Sequence, residues 1–234
     1  MSLPARPQHV RVNLTLLGPL ERPALRWLAA HMPGWVNPDL LTGFGFLGTL
    51  LVFGGYILTN YSPWFLWLAS LGFLINWFGD SLDGTLARYR NIERPKYGFF
   101  IDHTVDALDQ VLVFVGLGLS PYIHFDIALF ALIGYLLLSV MVYIDTIVTG
   151  KFQISYAYLG PTEMRFLTIV FNALVFFVGN PEVKLPWISW RPSLYDLGLF
   201  VVVVLFFVGF LLYSSLKAAE LAKLEPPERK ARKG

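Results

Sequence analysis

The 234-residue chain contains no cysteine, which excludes disulfide bonds, thiolate metal sites and a cysteine nucleophile. Charged residues are also scarce, at 15% of the sequence, whereas an average soluble domain has roughly 25%. A net charge of only +2 gives no sign of a nucleic-acid partner. The region after Met1 has no short apolar stretch followed by a small-residue cleavage site, so we expect no cleaved signal peptide.

Hydrophobic residues, in contrast, make up 56% of the chain. Several apolar runs reach about 20 residues, the length that crosses a hydrocarbon core of about 30 Å. We therefore predict an all-α integral membrane protein with six transmembrane helices. The predicted spans are 40–58, 64–88, 98–120, 125–148, 163–178 and 194–216.

Segment 17–35 differs from these spans because apolar and charged residues alternate along it. Leu20 and Trp27 are interspersed with Glu21 and Arg26, which is typical of a short amphipathic helix on the membrane surface. An ordinary packed helix is an equally good interpretation of the same pattern.

The basic residues indicate the orientation. All of the 18 lysines and arginines except Lys184 and Arg191 fall on one side of the predicted spans. The positive-inside rule then places both termini on the cytoplasmic side of the cell membrane. The predicted organisation is a cytoplasmic segment with the surface helix (1–35), a six-helix transmembrane domain (36–218) and a basic cytoplasmic tail (219–234).

Spans two and three carry acidic residues, although a charge at the centre of a span costs at least about 2.5 kcal/mol on insertion scales. Such residues usually have a function. Helical spacing puts Asp80 and Asp83 on one face, and Asp102 and Asp106 on another. The two spans follow each other through a short loop, so their acidic faces can meet near the cytoplasmic surface. The acids of the two spans, with the histidine beside them, are Asp80, Asp83, Asp102, His103, Asp106 and Asp109.

Four carboxylates in a partly buried cleft repel one another unless a cation lies between them. Hard oxygen ligands favour Mg²⁺, Mn²⁺ or Ca²⁺ over zinc. Two other interpretations are a solvated collar of acids and neighbouring bases, and a proton or cation relay in a transporter. A transporter predicts acids in several separated spans with broken helices, whereas these acids cluster at one end of two consecutive spans.

The order of these residues resembles the signature of the CDP-alcohol phosphotransferase family. That signature, D-x-x-D-G-x-x-A-R followed by G-x-x-x-D-x-x-x-D, matches 80–88 and 98–106 at all of its fixed positions. The connection 89–97 is one residue longer than the family pattern. The matched residues are Asp80, Asp83, Gly84, Ala87, Arg88, Gly98, Asp102 and Asp106.

The resemblance implies a phospholipid-synthesis enzyme that takes a CDP-alcohol or CDP-diacylglycerol and an acceptor with a hydroxyl group, and releases CMP. Its four aspartates would hold metal, Mg²⁺ or Mn²⁺ and two ions by analogy. Asp106, the fourth acid, would take the hydroxyl proton. Lipid substrates and products would enter sideways from the bilayer, and a homodimer is implied.

The remaining motif residues are expected to contact the CDP moiety. Gly84, Ala87 and Gly98 would let the ligand approach the helix backbone, and the planar Arg88 guanidinium would donate two hydrogen bonds to phosphate oxygens. Helix packing for the small residues and membrane anchoring for Arg88 are the simpler alternatives. Asp39 and Thr42 lie in a segment similar to the family's P-N-x-x-T start of the first span, where Asp39 replaces the asparagine.

His103 and a Thr162-Glu163 pair resemble the choline/ethanolamine phosphotransferase branch, in which a His–Glu pair would assist proton transfer or shape the acceptor pocket. A helix cap is the alternative role for Glu163. The other enzyme considered is a phosphatidylglycerophosphate or phosphatidylinositol-phosphate synthase, which uses CDP-diacylglycerol and a phosphorylated polyol. Basic residues such as Arg165 would then hold the acceptor phosphate.

Overall fold

The computed structural model describes residues 10–12, 16–153, 160–183 and 191–225, and most of these are helical. The helices in this part of the chain are α1 (Gly18–His31), α2 (Pro38–Leu58), α3 (Phe65–Tyr89), α4 (Pro95–Gly118), α5 (Phe125–Thr149), α6 (Pro161–Val178) and α7 (Leu194–Leu224). Two three-residue strands, β1 (Val10–Val12) and β2 (Lys151–Gln153), pair in parallel. The all-α class is confirmed apart from this short pairing, which the sequence does not predict.

Helices α2, α3, α5, α6 and α7 are long and apolar enough to cross a membrane. Helix α4 has 24 residues, but Asp102, Asp106 and Asp109 make it too polar to qualify by composition. The chain is therefore a multi-pass membrane protein. The described residues contain five candidate spans, where the sequence predicts six.

Two helices differ from the predicted spans by several residues. Helix α4 begins at Pro95 instead of residue 98, and α7 continues to Leu224 instead of ending at residue 216. The continuation is helical because its sequence favours a helix, and Lys217 pairs with Glu220 one turn later at 3.1 Å. The division into 1–35, 36–218 and 219–234 stays a prediction. Residues 1–9 and 13–15 of the first segment and 226–234 of the last lie outside the described residues. So do six basic residues used for the topology: Arg6, Lys184, Arg229, Lys230, Arg232 and Lys233.

The turns on the predicted cytoplasmic side are held by side chains. Asn37 caps α2, because its Oδ1 accepts a hydrogen bond from the Leu40 amide at 2.9 Å, and Pro38 occupies the first helical position. Arg90 follows α3 and donates to the carbonyl oxygens of Met32, Pro33 and Val36. Its guanidinium thereby ties the end of α3 to the connection between α1 and α2.

Helices α2 and α3 pack backbone to backbone through glycines. A Cβ on Gly72 would lie 2.6 Å from the Gly48 carbonyl oxygen and 2.7 Å from the Val52 amide nitrogen. Any side chain at this position would therefore push the helices apart. Close approach through small residues is the usual way in which membrane helices gain van der Waals contact, since lipid gives them no hydrophobic drive to associate.

The other helices surround this pair. Helix α4 packs on α2, α5 lies between α4 and α7, and both α1 and α6 pack on α3. A buried hydrogen-bonded chain joins α2, α3 and α6, in which Asn172 accepts from Tyr56 Oη at 3.0 Å and donates to Ser70 Oγ at 3.1 Å. At the same end, Trp67 lies edge-on to Phe176 with ring centroids 5.5 Å apart.

We expect Gly72→Ala to destabilise the protein by about 1–3 kcal/mol, the usual cost of overpacking a dense interior. The control is Gly54→Ala on α2, because a Cβ there meets nothing within 4 Å. Thermal unfolding in one detergent measures both variants. Equal melting temperatures for the two variants would contradict the close packing of α2 and α3.

Candidate active site

The carboxylates predicted from the sequence converge where the end of α3 meets the start of α4. One small cavity is lined from α3 by Asp80 and Asn76, from α4 by Asp102 and Asp109, and from α2 by Thr42. The two acidic faces therefore meet, as the helical spacing predicts.

On α3, Asp83 is held by two hydrogen bonds. Its Oδ2 accepts from Thr42 Oγ1 of α2 at 2.6 Å, and its Oδ1 accepts from the Gly84 amide. Thr42 also donates to the Pro38 carbonyl oxygen. The start of α2 thus orients one of the predicted metal ligands, which gives Thr42 a contact with the site through Asp83.

On α4, Asp102, His103 and Asp106 form a tight group in which one ligand atom from each residue lies within 4.8 Å of the others. His103 Nδ1 is 3.3 Å from Asp102 Oδ2 and 3.8 Å from Asp106 Oδ2. All three are partly buried. Carboxylate oxygens arranged in this way suit Mg²⁺ or Mn²⁺.

Asp80 has a cationic partner that the sequence does not predict. Arg165 of α6 donates to Asp80 Oδ2 at 2.7 Å, and the two side chains are only 13% and 24% exposed. From the sequence, Arg165 is expected only as a cation for an acceptor phosphate. Its pairing with Asp80 brings α6 to the acidic cluster, and it compensates part of the negative charge there.

Asp109 completes the acidic face at its buried end. It is 5% exposed, and its Oδ2 accepts from Asn76 Nδ2 at 2.8 Å. The same amide group lies 3.0 Å from Thr49 Oγ1 and 3.3 Å from the Gly45 carbonyl oxygen. This small network locks α3 to both α2 and α4 immediately behind the cavity.

In the described part of the chain, His103 and Glu163 do not form the predicted pair, because each contacts other residues. The His103 ring lies against Phe99 and Tyr143, with centroids 4.1 Å and 5.3 Å away. Glu163 is 4% exposed, and its two oxygens accept from the amides of Gly160 and Leu17 at 2.9 Å and 2.8 Å. It therefore caps α6 and fixes the start of α1, which is the alternative role that the sequence allows.

The predicted phosphate-binding residues occupy the exposed end of α3. Arg88 is exposed and donates to Thr85 Oγ1 at 3.2 Å. A Cβ on Gly84 would lie 3.3 Å from Arg88 Nη1, so glycine leaves room for this guanidinium. Ala87 is half-buried on the same turn, whereas Gly98 on α4 is exposed and has open space around its Cα.

Asp39 is engaged in an ion pair with Arg94, at 2.5 Å between Oδ1 and Nη2, and both side chains are about half exposed. This hydrogen bond raises the pKa of Arg94. The Arg94 guanidinium also covers the Tyr97 ring at 4.0 Å. Asp39 thus helps to join the start of α2 to the start of α4 beside the site.

The sequence does not point to three contributors to this region. They are Glu21 of α1, whose Oε1 accepts from Ser81 Oγ at 3.2 Å, Arg165 as the partner of Asp80, and Tyr143, which stacks on His103. Each lies far from the motif along the chain. The sequence does show a glutamate in the amphipathic segment and an arginine just inside an apolar span. Neither position indicates which side chain on another helix it contacts.

Comparison with known proteins places the chain among enzymes of lipid synthesis. The model of the CDP-alcohol phosphatidyltransferase family matches residues 35–208, which is more than half of the chain. An archaetidylinositol phosphate synthase of Pyrococcus horikoshii is 29% identical over 163 residues, which cover 69% of this chain and 83% of that protein. A cholinephosphotransferase 1 of Rattus norvegicus is 27% identical over 196 residues, or 80% of this chain and 47% of that protein. One from Danio rerio is 36% identical over 98 residues, or 38% and 25%. The chain therefore spans less than half the length of these two cholinephosphotransferases.

Proposed function

The chain belongs to the CDP-alcohol phosphatidyltransferase family, and from this premise we propose the reaction that it carries out. It is a transferase of phospholipid biosynthesis. It moves a substituted phosphate group from a CDP-linked donor to the hydroxyl of an acceptor and releases CMP. One observation carries this proposal: Asp80 and Asp102, from the two halves of the signature, line the same cavity.

A residue of the chain can take the proton that the acceptor hydroxyl loses in this reaction. The acceptor oxygen forms a bond to the phosphorus distal to cytidine, and the bond from that phosphorus to the CMP oxygen breaks. The hydroxyl proton passes to Asp106. Asp106 is 39% exposed, more than Asp102 at 30% or Asp80 at 24%, so an acceptor reaches it most easily. His103 lies beside Asp106 and can orient its carboxylate or share the proton.

Asp80, Asp83, Asp102 and Asp106 are proposed to hold Mg²⁺ or Mn²⁺, with two ions as the family resemblance implies. When bound, the metal neutralises the pyrophosphate and the developing charge on the leaving oxygen. Support for this set comes from its hard oxygen donors and from the close grouping of Asp102, His103 and Asp106. Thr42 keeps Asp83 in place for this task.

Arg88 is proposed to bind donor phosphate at the exposed end of α3, over the open surface that Gly84, Ala87 and Gly98 leave. An arginine fork matches two phosphate oxygens at once. Asp39 is assigned to the cytidine end of the donor, where its pair with Arg94 would orient it. Glu163 is proposed to have a structural role on the acceptor side of the site, because its two oxygens accept hydrogen bonds from the backbone amides of Leu17 and Gly160.

Two donor and acceptor combinations are proposed. The first is a CDP-alcohol with a lipid hydroxyl acceptor, which the Asp102-His103 pair and the cholinephosphotransferase relatives favour. The second is a CDP-linked lipid with a phosphorylated polyol, which the archaetidylinositol phosphate synthase relative and the buried Arg165 favour. Family membership argues against the transporter interpretation.

For the membrane arrangement we propose six spans, with α4 as the sixth. Helix α4 is as long as its neighbours, and two of its aspartates, Asp102 and Asp109, line a cavity between helices. Helix α1 would lie on the cytoplasmic surface, because Leu20 and Trp27 are 77% and 61% exposed. Both termini and the site would be cytoplasmic in the cell membrane. A homodimer is proposed on the family resemblance.

We expect the purified protein to release CMP when it is given Mg²⁺, a CDP-linked donor and the matching acceptor. The donors to compare are CDP-choline and CDP-ethanolamine with diacylglycerol, and CDP-diacylglycerol with inositol phosphate or glycerol phosphate. The Asp80→Asn variant provides the background. The proposal fails if CMP release stays at background with every combination.

Replacement of the acids separates metal binding from proton transfer. Asp80→Asn and Asp83→Asn should abolish turnover and weaken binding of the CDP donor, because each removes a ligand that offsets the pyrophosphate charge. Asp106→Asn should lower the rate by about 10²–10⁴-fold, the usual effect of losing a general base, and retain more donor affinity. Nucleotide titration at fixed Mg²⁺ checks this. An equal loss of affinity in all three variants would leave Asp106 as a metal ligand only and contradict its role as the base.

A further inference from the structure

Glu21 of α1 accepts three side-chain hydrogen bonds at a single oxygen, Oε1. The donors are Trp77 Nε1 at 2.7 Å, Ser81 Oγ at 3.2 Å and Thr162 Oγ1 at 2.8 Å. The first two belong to α3 and the third to α6, so one carboxylate joins three helices. We call this group, Glu21 with Trp77, Ser81 and Thr162, the Glu21 clasp.

The clasp belongs to a closed ring of contacts around the candidate active site. Ser81 directly follows Asp80 on α3, and Thr162 stands one turn before Arg165 on α6. Arg165 in turn donates to Asp80. Glu21 therefore sets the distance between α3 and α6 at the level where Arg165 reaches Asp80.

A second contact anchors the helix that carries Glu21. The amide of Leu17, next to α1, donates to Glu163 Oε1 of α6 at 2.8 Å. A carboxylate from each helix thus accepts a donor from the other. Together with the hydrogen bonds of Glu21, this contact fixes α1 against α3 and α6 beside the site.

At their other end, away from the site, α3 and α6 contact each other directly. There Asn172 donates to Ser70 Oγ, and Trp67 packs against Phe176. The two helices are thus joined by direct contacts away from the site and by Glu21 beside it.

We propose that Glu21 is a positioning residue for the transferase reaction, acting through Ser81 and Thr162 to hold Asp80 and Arg165 in register. This role rests on the proposed function, in which Asp80 is a metal ligand. In this role Glu21 itself contacts neither the donor nor the acceptor. Residues that orient a metal ligand typically change metal affinity or activity by about 10–100-fold when they are removed.

The experiment compares Glu21→Ala and Glu21→Gln with the control Ser70→Ala, which removes a hydrogen bond between the same two helices at their other end. The readouts are the melting temperature without metal, the Mg²⁺ concentration at half of the metal-induced rise in melting temperature, and kcat. Glu21→Ala should raise the Mg²⁺ midpoint and lower kcat by about 10–100-fold. Glu21→Gln should recover both, because its amide oxygen can accept the same hydrogen bonds. Ser70→Ala should lower only the melting temperature.

If Glu21→Ala and Ser70→Ala both lower the melting temperature with an unchanged Mg²⁺ midpoint, Glu21 is merely structural and the inference fails. Should Glu21→Ala not fold, Thr162→Val removes a single donor and is expected to shift the Mg²⁺ midpoint in the same direction, and an unchanged midpoint would overturn the role. A wild-type protein with no response to Mg²⁺ would instead contradict the proposed metal site itself, and the role of Glu21 with it.

Discussion

Carboxylates placed on apolar helices are the constraint on which the rest of this structure depends. Each of the acids on α3 and α4 must be paired, hydrogen-bonded or open to water, because an uncompensated charge in such surroundings costs several kcal/mol. Arg165 pairs with Asp80, Thr42 donates to Asp83, and Asn76 donates to Asp109. The acids on α4 closest to the proposed cytoplasmic surface keep partial exposure instead.

The packing of the helices follows from these partnerships. Thr42 can reach Asp83 only because α2 and α3 approach closely at their glycines, where a Cβ on Gly72 would collide with the α2 backbone. Arg165 can reach Asp80 because α6 is held on α3, directly at one end and through Glu21 at the other. The same contacts that stabilise the fold therefore set the geometry of the site, so changes in α1 or α6 should alter the chemistry at Asp80 from outside the motif.

The sequence predicts the acidic face well because helical spacing and the motif are local. Asp80 and Asp83 lie three positions apart and so share a helix face, and the short connection to the next span brings that face to Asp102. It does not predict which side chains meet across helices, since this depends on how each helix is rotated. Glu163 could thus be expected beside His103, whereas it caps α6. Hydropathy also ends α7 too early, because it cannot register a polar helix that continues to Leu224.

The central claim is that α3 and α4 together build one metal site. Electron paramagnetic resonance of Mn²⁺ bound to the purified protein tests it most directly, with Asp80→Asn for α3, Asp102→Asn for α4 and Asp145→Asn as the control. Asp145 is a half-buried acid of α5 that accepts from Tyr213, apart from the cluster. The structure predicts that the first two variants each weaken Mn²⁺ binding and that Asp145→Asn binds like the wild type. Wild-type binding by either Asp80→Asn or Asp102→Asn would contradict a site shared by the two helices.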